Sequence, residues 1–326
     1  MSERALLETE SLSKTFTTSR GVLTRGAHVT QAVRDVSFTL QRGDSLGIVG
    51  ETGSGKTTIA RMLVGLERPT SGHILQDGVE IGTVLPSGER RRRRRLIQMV
   101  FQDPYTSLDR RQSVRSALDE VQRVHFDRTQ TERERRTGEL LDSVGLGGNE
   151  ARSLPRELSG GQRQRVAIAR ALASEPEMLV LDEAVSALDV SIQSQILNLL
   201  VDLRAAFGLS YVFISHDLAV IRHVCDDVLV MYRGRVLERG SVSDVLDQAA
   251  HPYTQRLLAA APRPGMSLAR DTPRREGIPG GCVFTTRCPY QFERCAEEPP
   301  LLSVTEGHAS RCWLVEDERR QSGEAA

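Results

Sequence analysis

A glycine-rich segment between an apolar run and a helical pattern has the residue types of a phosphate-binding loop. Gly50 ends the apolar run 45–50, and Gly55, Lys56 and Thr57 lie between this run and IARMLVGLE. Glycines let backbone N–H groups face phosphate oxygens, the lysine adds a positive charge, and the threonine hydroxyl suits Mg²⁺. The sequence therefore predicts a nucleoside triphosphate site. Its expected members are Gly50, Glu51, Thr52, Gly53, Ser54, Gly55, Lys56, Thr57 and Thr58.

Two carboxylates at the end of another apolar run could supply hydrolytic chemistry. The segment MLVLDE ends in Asp182 and Glu183. Asp182 is placed to hold Mg²⁺, directly or through water, and Glu183 to polarise an attacking water. Either residue could also be an ordinary acid at a strand end. The phosphate loop upstream favours the catalytic interpretation.

A predicted helix start carries glycines where helices usually avoid them. Ser159 and Gln162 have the spacing of a capping box, which begins many helices without further function. Gly160 and Gly161 each weaken the helix by about 1 kcal/mol relative to alanine. Such a cost is understandable where a backbone must approach an anion at a helix N-terminus.

Apolar strands alternate with helical segments, which predicts a mainly parallel sheet covered on both faces. The predicted strands are the runs 45–50, 96–101, 177–182, 210–215 and 227–232. A helix is predicted over 190–207, with a core-facing stripe made of Ile192, Ile196, Leu199, Leu203 and Phe207. The stretch of about 103–176 is helical in pattern and is expected to form an inserted subdomain.

The composition excludes several function classes. The 326 residues include 43 basic and 43 acidic side chains, so the formal net charge is zero and the chain has no global nucleic-acid footprint. No run approaches the ~18 apolar residues of a membrane helix, and the N-terminus lacks the pattern of a signal peptide. The charged run 89–95 is expected to be a solvated loop, with contact to nucleic acid or anionic lipid as the alternative.

The order of these motifs resembles that of the ATP-binding cassette (ABC) ATPases. Over roughly residues 5–260, the phosphate loop is followed by VFQDPY, LSGGQ at 158–162, LVLDE at 179–183, SALD at 186–189 and FISHD. The resemblance implies an α/β fold of the ABC P-loop NTPase type, with a mainly parallel core sheet, an N-terminal antiparallel β subdomain and a helical signature subdomain. It also implies a head-to-tail dimer that encloses two ATP molecules.

The resemblance assigns a role to each matched catalytic residue. Glu183 is the expected general base, and His216 the residue that contacts the γ-phosphate. Gln102 is the expected sensor of Mg²⁺ and of the attacking water. The expected Mg²⁺ ligands are Thr57, Gln102 and Asp182.

The resemblance also assigns residues outside the catalytic centre. Ser159, Gly160, Gly161 and Gln162 of the signature are expected to reach ATP bound by the partner chain. Asp189 and its neighbours are expected at the dimer seam. Phe16 is the candidate for stacking on adenine, with a core phenylalanine as the alternative. The usual Pro-Thr after the glutamate is here Ala184-Val185, which we do not expect to abolish hydrolysis.

Cysteines near the C-terminus narrow the subfamily. Cys282, Cys288, Cys295 and Cys312 lack the C-x2-C spacing typical of structural zinc, and disulfides are disfavoured in a cytosolic chain. Together with HPYTQRLLAAAP at 251–262, the segment resembles the C-terminal extension of peptide and nickel importer ATPases. That resemblance implies a [4Fe–4S] cluster on the four thiolates, with zinc or simple packing cysteines as alternatives. Cys225 is expected in the core, within a helix flanked by apolar residues.

These inferences predict a nucleotide-binding domain over 1–261, a linker over 262–281 and a Cys-rich extension over 282–326. The expected function is ATP hydrolysis in an importer of dipeptides or oligopeptides, with nickel or another small solute as the alternative. The resemblance implies a second, different ATPase chain, two permease subunits and an external solute-binding protein as partners, and no nucleic acid. The chain is expected at the cytoplasmic face of the membrane, as a peripheral subunit.

Two rival functions follow from the same motifs. A soluble ABC mechanoenzyme acting on the ribosome or DNA would generally carry two cassettes or a long coiled coil, and this chain has one cassette and no sustained heptads. A non-hydrolysing regulatory subunit is disfavoured because Glu183 and His216 are both present.

Overall fold

The computed structural model describes residues 4–19, 27–81, 86–103, 105, 108–260 and 278–316. The strands are β1 (Leu7–Ser19), β2 (Ala27–Leu40), β3 (Ser45–Val49), β4 (Ser71–Gln76), β5 (Val79–Glu80), β6 (Ile97–Val100), β7 (Met178–Asp182), β8 (Ser210–Ser215), β9 (Asp227–Tyr232), β10 (Arg235–Ser241), β11 (Leu302–Thr305) and β12 (His308–Ser310). The helices are α1 (Lys56–Leu63), α2 (Ser87–Leu96), α3 (Val114–His125), α4 (Gln130–Ser143), α5 (Gly160–Leu172), α6 (Val190–Phe207), α7 (Leu218–Val224), α8 (Val242–Asp247) and α9 (Pro252–Ala260).

Parallel strands at the centre of the larger sheet bring the catalytic motifs to one edge. The order is β11-β12-β10-β9-β3-β8-β7-β6, and β9, β3, β8, β7 and β6 are mutually parallel. Because parallel strands end on the same side of a sheet, the residues that follow β3, β7 and β8 lie close together. These residues are Gly50, Glu183 and His216.

The central strands are buried on both faces, as their continuous apolar runs predicted. In β7, Met178 and Val180 belong to one hydrophobic core, and Leu179 and Leu181 belong to the other. All four side chains are fully buried. The two-residue period of a strand therefore supplies both cores from one short segment, which fixes the strand ends rigidly beneath the site.

The remaining layers match the expected ABC architecture. A four-stranded antiparallel sheet of order β2-β1-β4-β5 forms the N-terminal β subdomain. Helices α3, α4 and α5 form the helical subdomain. Buried Gln122 of α3 donates to Thr137 Oγ1 of α4 at 3.0 Å, which joins two of its helices. The fold class predicted from the sequence is confirmed.

The C-terminal segment is part of the central sheet. Strands β11 and β12 form a hairpin, and β12 pairs antiparallel with β10. Glu238 of β10 is fully buried, accepts from His251 N at 3.1 Å, and lies 2.8 Å from His308 Nε2 of β12. The tail is thus held by backbone pairing and by a buried polar network. Most of the predicted linker, residues 262–277, lies outside the described residues.

Three local expectations were wrong. The run 89–95 is not a loop, since it lies within α2, where an ion pair at the (i, i+4) spacing joins Arg93 Nε to Glu89 Oε1 at 3.1 Å. Phe207 is 40% exposed at the end of α6, and Leu200 is buried instead. Cys225 is buried in the core as expected, but it follows α7 instead of lying within it. No helix in the described part of the chain is long and apolar enough to cross a bilayer.

Candidate nucleotide site

The phosphate loop has a backbone that requires glycine at two positions. Gly50 has φ +151° and Gly55 has φ +106°, a region that side chains rarely adopt. A Cβ at Gly50 would lie 2.1 Å from the carbonyl oxygen of Met231, and one at Gly55 would lie 2.2 Å from that of Ala32. The loop is therefore shaped by close contact with the neighbouring backbone, and only glycine fits.

Lys56 lies inside the loop at the start of α1. Its Nζ donates to Gly50 O at 2.7 Å and to Glu51 O at 3.1 Å. Burial lowers the pKa of Lys56, whereas the nearby carboxylates of Glu183 and Asp182 act in the opposite direction. The ammonium is thus held by carbonyl oxygens at the centre of the loop, where it can turn toward an anion.

Asp182 and Thr57 place two oxygen donors side by side. Thr57 Oγ1 donates to Asp182 Oδ1 at 3.2 Å, and Asp182 is 6% exposed. Burial raises the pKa of Asp182, an effect that the Thr57 hydrogen bond opposes. A buried carboxylate beside a hydroxyl offers oxygen ligands that suit a small divalent cation. These residues fit the Mg²⁺ that the phosphate loop implies.

Three further side chains meet beyond the end of β7. Gln102 Nε2 donates to Glu183 Oε2 at 2.9 Å, and His216 Nδ1 lies 3.7 Å from the same oxygen. Glu183 has φ +48°, a strained conformation for a residue with a side chain, and its side chain is 18% exposed. This turn brings the carboxylate toward Gln102 and His216. The three groups could hold and deprotonate a water molecule.

The signature helix begins as the sequence predicted, but its two glycines differ. Ser159 Oγ accepts from Gln162 N at 3.3 Å, and Gln162 Oε1 accepts from Ser159 N at 2.9 Å. Gly160 is exposed, and a Cβ there would meet only Leu188 Cδ2 at 3.5 Å. Gly161 is buried, and its Cβ would lie 2.6 Å from Ile192 Cγ2. Packing within the chain therefore explains Gly161. Of the two signature glycines, Gly160 is the one that lies at the surface.

Residues near the signature are also exposed. Asp189 occupies the N-cap position of α6, but its side chain makes no capping hydrogen bond. Both Asp189 and the next residue lie at the surface. That next residue, Val190, is 80% exposed. Val190 is therefore an exposed apolar side chain at the start of α6, directly beside Asp189.

Phe16 lies on β1, opposite Thr30 of β2. Its ring is half-buried, and Lys14 Nζ lies 4.9 Å from the ring centroid. Phe16 belongs to neither hydrophobic core. The half-buried ring therefore keeps a face that a planar group could cover.

Sequence reasoning missed a set of contacts made by the tail with the phosphate loop. Arg287 Nη1 donates to Glu51 Oε2 at 2.7 Å, and Tyr253 Oη accepts from Glu51 N at 2.9 Å. A cavity of about 410 Å³ lies between the loop and the tail, lined by residues 51–54 with Tyr232, Arg233, Thr286 and Arg287. The stretch HPYT at 251–254 was visible as a motif, but nothing in its spacing indicates a contact with residue 51.

The four tail cysteines line one small cavity of about 10 Å³, which is about the space of a single water molecule. Burial raises the pKa of Cys282 to about 11 and that of Cys312 to about 12. None of the five cysteines forms a disulfide. Among the described residues, no three His, Cys, Asp or Glu side chains form a group that could hold a metal ion. As placed, Cys282, Cys288, Cys295 and Cys312 do not fit a cluster.

Comparison with known families decides what kind of site this is. Residues 33–186, which include the phosphate loop, the signature and the strand β7 that Glu183 follows, match the ABC transporter family. The chain belongs to the ABC transporter family. Since the ATP-binding subunits of that family hydrolyse ATP, this ABC subunit is an ATPase, and the predicted enzyme class is confirmed. Residues 237–295 match a second family, described as the oligopeptide/dipeptide transporter C-terminal region.

Individual relatives agree with this assignment. A probable peptide ABC transporter ATP-binding protein of Sinorhizobium fredii is 45% identical over 95% of this chain and 90% of its own length. The oligopeptide transport ATP-binding protein AppF of Bacillus subtilis is 42% identical over 96% of this chain and 98% of its own. Among solved structures, cbiO1 of Clostridium perfringens, from an ABC transporter complex, is similar with a TM-score of 0.64 and 30% identity, over 76% of this chain and 92% of its own. A dimeric bacterial ABC transporter cassette, MJ0796, is similar with a TM-score of 0.63 and 28% identity, over 72% of this chain and 98% of its own.

Proposed function

We propose that this ABC ATPase drives the import of dipeptides or oligopeptides. The observation that carries the proposal is the joining, in one chain, of the ABC nucleotide site to a tail of the oligopeptide/dipeptide transporter type at 237–295. The relatives from S. fredii and B. subtilis, which match over nearly their whole length, are named as peptide or oligopeptide proteins, and this supports the same class of solute.

The reaction that we assign to the site is attack of water on the γ-phosphorus of ATP. Glu183 takes a proton from the water while the water oxygen forms a bond to the γ-phosphorus. The bond between that phosphorus and the bridging oxygen of ADP breaks. Gln102 donates to Glu183 Oε2, which orients the carboxylate. His216 lies beside the same carboxylate and is assigned to the γ-phosphate.

Binding of the nucleotide is assigned to the phosphate loop from Gly50 to Thr58. Its backbone N–H groups and Lys56 would take the phosphates, and Asp182, Thr57 and Gln102 would hold Mg²⁺. When bound, Mg²⁺ neutralises charge on the phosphate oxygens. The half-buried ring of Phe16 supports its assignment to adenine.

The second half of each ATP site is assigned to a partner chain. We infer a head-to-tail dimer, in which Ser159, Gly160 and Gln162 face ATP on the partner and Gly161 supports them by packing. The exposed Gly160 and the 80% exposed Val190 support a contact at this face. Asp189 would lie at the seam. The partner is proposed to be a second, different ATPase chain.

The remaining assignments concern the assembly. Two permease subunits and an external solute-binding protein are the proposed partners, and the chain is proposed to sit at the cytoplasmic face of the membrane as a peripheral subunit. We retain 1–261 as the nucleotide-binding domain, 262–281 as the linker and 282–326 as the extension. The pairing of β12 with β10 supports an extension that is fixed to the domain.

A [4Fe–4S] cluster on the tail cysteines stays a prediction that rests on sequence resemblance alone. The four thiols line one cavity, which supports a shared role, but their placement supports no metal site. Metal and sulfide analysis of protein purified without oxygen tests it. About four irons and four sulfides per chain would support the cluster. Zinc would replace it with another metal site, and protein without metal would leave packing cysteines.

The import function is tested with the complex that co-purifies from membranes, reconstituted in liposomes with its binding protein. We expect ATP hydrolysis to rise when the binding protein carries a dipeptide or oligopeptide, and labelled peptide to accumulate on the far side of the bilayer. A matched complex with Glu183→Gln should bind the same peptide without accumulation. If nickel stimulated ATP hydrolysis and none of the peptides did, the proposal would be contradicted.

A further inference from the structure

A residue of the C-terminal tail contacts the carboxylate of the phosphate loop. Arg287 Nη1 lies 2.7 Å from Glu51 Oε2 and 2.9 Å from Glu51 Oε1, although the two residues are 236 positions apart in sequence. This hydrogen bond is the main reason why the pKa of Arg287 is raised, and Tyr232 adds a second one. The guanidinium side chain is 18% exposed, so water screens the pair only in part.

The tail holds Arg287 in a rigid position. Arg287 ends a short 3₁₀ helix, Thr285–Arg287, that directly follows Phe284. Phe284 is 1% exposed, and its ring centroid lies 5.4 Å from those of both Tyr232 and Tyr253. An anchored aromatic ring three residues before Arg287 limits the freedom of the arginine, so the ion pair loses little entropy when it forms.

Glu51 is therefore held at two points by residues from the C-terminal part of the chain. Its backbone N–H donates to Tyr253 Oη at 2.9 Å, and its carboxylate accepts from Arg287. A carboxylate in a loop that receives a triphosphate is electrostatically unfavourable, because both groups are negative. Arg287 supplies the opposite charge at hydrogen-bond distance, and Lys56 is buried within the loop itself.

We propose that Arg287 is a positioning residue of the nucleotide site, which neutralises Glu51 and fixes the first turn of the phosphate loop. On this basis the tail is a component of the ATP site. The inference rests on ATP as the ligand of the loop. It does not depend on which solute is transported.

The test measures equilibrium binding of a fluorescent ATP analogue to the full-length chain. Arg287→Ala should weaken binding about tenfold, since a charge-assisted hydrogen bond is lost and Glu51 then faces the phosphates uncompensated. Arg287→Lys should weaken it less. The double variant Glu51→Gln with Arg287→Ala should recover most of the affinity, because the uncompensated charge is gone. In steady state, Arg287→Ala should raise KM for ATP more than it lowers kcat.

Arg294→Ala is the matched control. Arg294 lies in the same tail, pairs with Glu316 and covers the ring of Trp313 at 3.6 Å, and these contacts lie outside the phosphate loop. Its removal should leave ATP binding unchanged. Wild-type affinity in Arg287→Ala, an equal loss in Arg294→Ala, or no recovery in the double variant would each overturn the proposal. If the wild-type chain bound no ATP analogue, the nucleotide site itself would be refuted.

Discussion

The variant Gly160→Asp should impair closure of the dimer without impairing the fold of the chain. Gly160 is exposed at the first turn of α5, and a Cβ there meets only Leu188 Cδ2 at 3.5 Å, an ordinary contact. An aspartate near a helix N-terminus is stabilising by about 0.3–1 kcal/mol. The variant should therefore fold as well as the wild type. If Gly160 faces ATP on the partner chain, the new carboxylate would oppose the γ-phosphate when the dimer closes.

The size of this repulsion follows from Coulomb's law. Two unit charges 4 Å apart interact by ~1 kcal/mol in water and by ~4 kcal/mol at an effective dielectric constant of ~20. Because closure of the dimer removes water from the exposed Gly160, the upper figure is the closer one. Closure should therefore weaken by roughly 10²- to 10³-fold, since each 1.4 kcal/mol is about tenfold. ATP binding to the chain's own phosphate loop should not change.

The assay uses analytical ultracentrifugation to measure the ATP-dependent association of this chain with the partner ATPase chain. This chain carries Glu183→Gln so that it retains ATP. A fluorescent ATP analogue reports binding to each chain separately. Gly160→Asn is the matched control, because it has the same size without the charge. We expect association to fail in Gly160→Asp and to survive in Gly160→Asn.

Two outcomes would refute this reasoning. Undiminished association of Gly160→Asp would mean that Gly160 does not face a phosphate of the partner. Parallel loss of association and of nucleotide binding would mean that the signature acts on its own chain or that the fold is damaged.

Three further predictions concern the catalytic residue, the tail and pH. Glu183→Gln should keep ATP binding and lower turnover by roughly 10²- to 10⁴-fold in an ATPase assay of the assembled transporter; unchanged turnover would exclude Glu183 as the base. Phe284→Ala should weaken docking of the tail by about 3–5 kcal/mol, since the side chain is 1% exposed; unchanged hydrogen exchange at 278–316 would contradict this. Burial lowers the pKa of His251 to about 3 from an ordinary 6.5. Below pH 6.5 the unfolded chain therefore takes up a proton that the folded chain does not, and this group costs up to about 1.4 kcal/mol of unfolding free energy for each unit down to about pH 3. Chemical denaturation should show that the unfolding free energy of His251→Gln falls less steeply than that of the wild type between pH 6 and 4. Equal slopes would contradict the assignment of this pH dependence to His251.

The sequence by itself determined the parts of the site that are local. The phosphate-loop motif from Gly50 to Thr57 is one short segment, and the capping box at Ser159 and Gln162 spans one helical turn. The apolar runs of β7, β8 and β9 are long enough and sufficiently continuous to predict strands buried on both faces. The helix 190–207 was also placed correctly, because its apolar residues recur at the helical period. Such features depend on neighbours a few residues apart, so spacing reveals them.

Only the tertiary structure decided which distant residues meet. Hydrophobic periodicity assigned Phe207 to the core, but Phe207 is the last residue of α6 and is 40% exposed, while Leu200 is buried. Gly161 needs no ligand to explain it, since Ile192 of α6 occupies the space that a Cβ would need. The contact of Arg287 with Glu51 was invisible in the sequence, because an ion pair leaves no spacing pattern when 236 positions separate its members. It exists because β12 pairs with β10, and this places the tail beside the phosphate loop that follows β3.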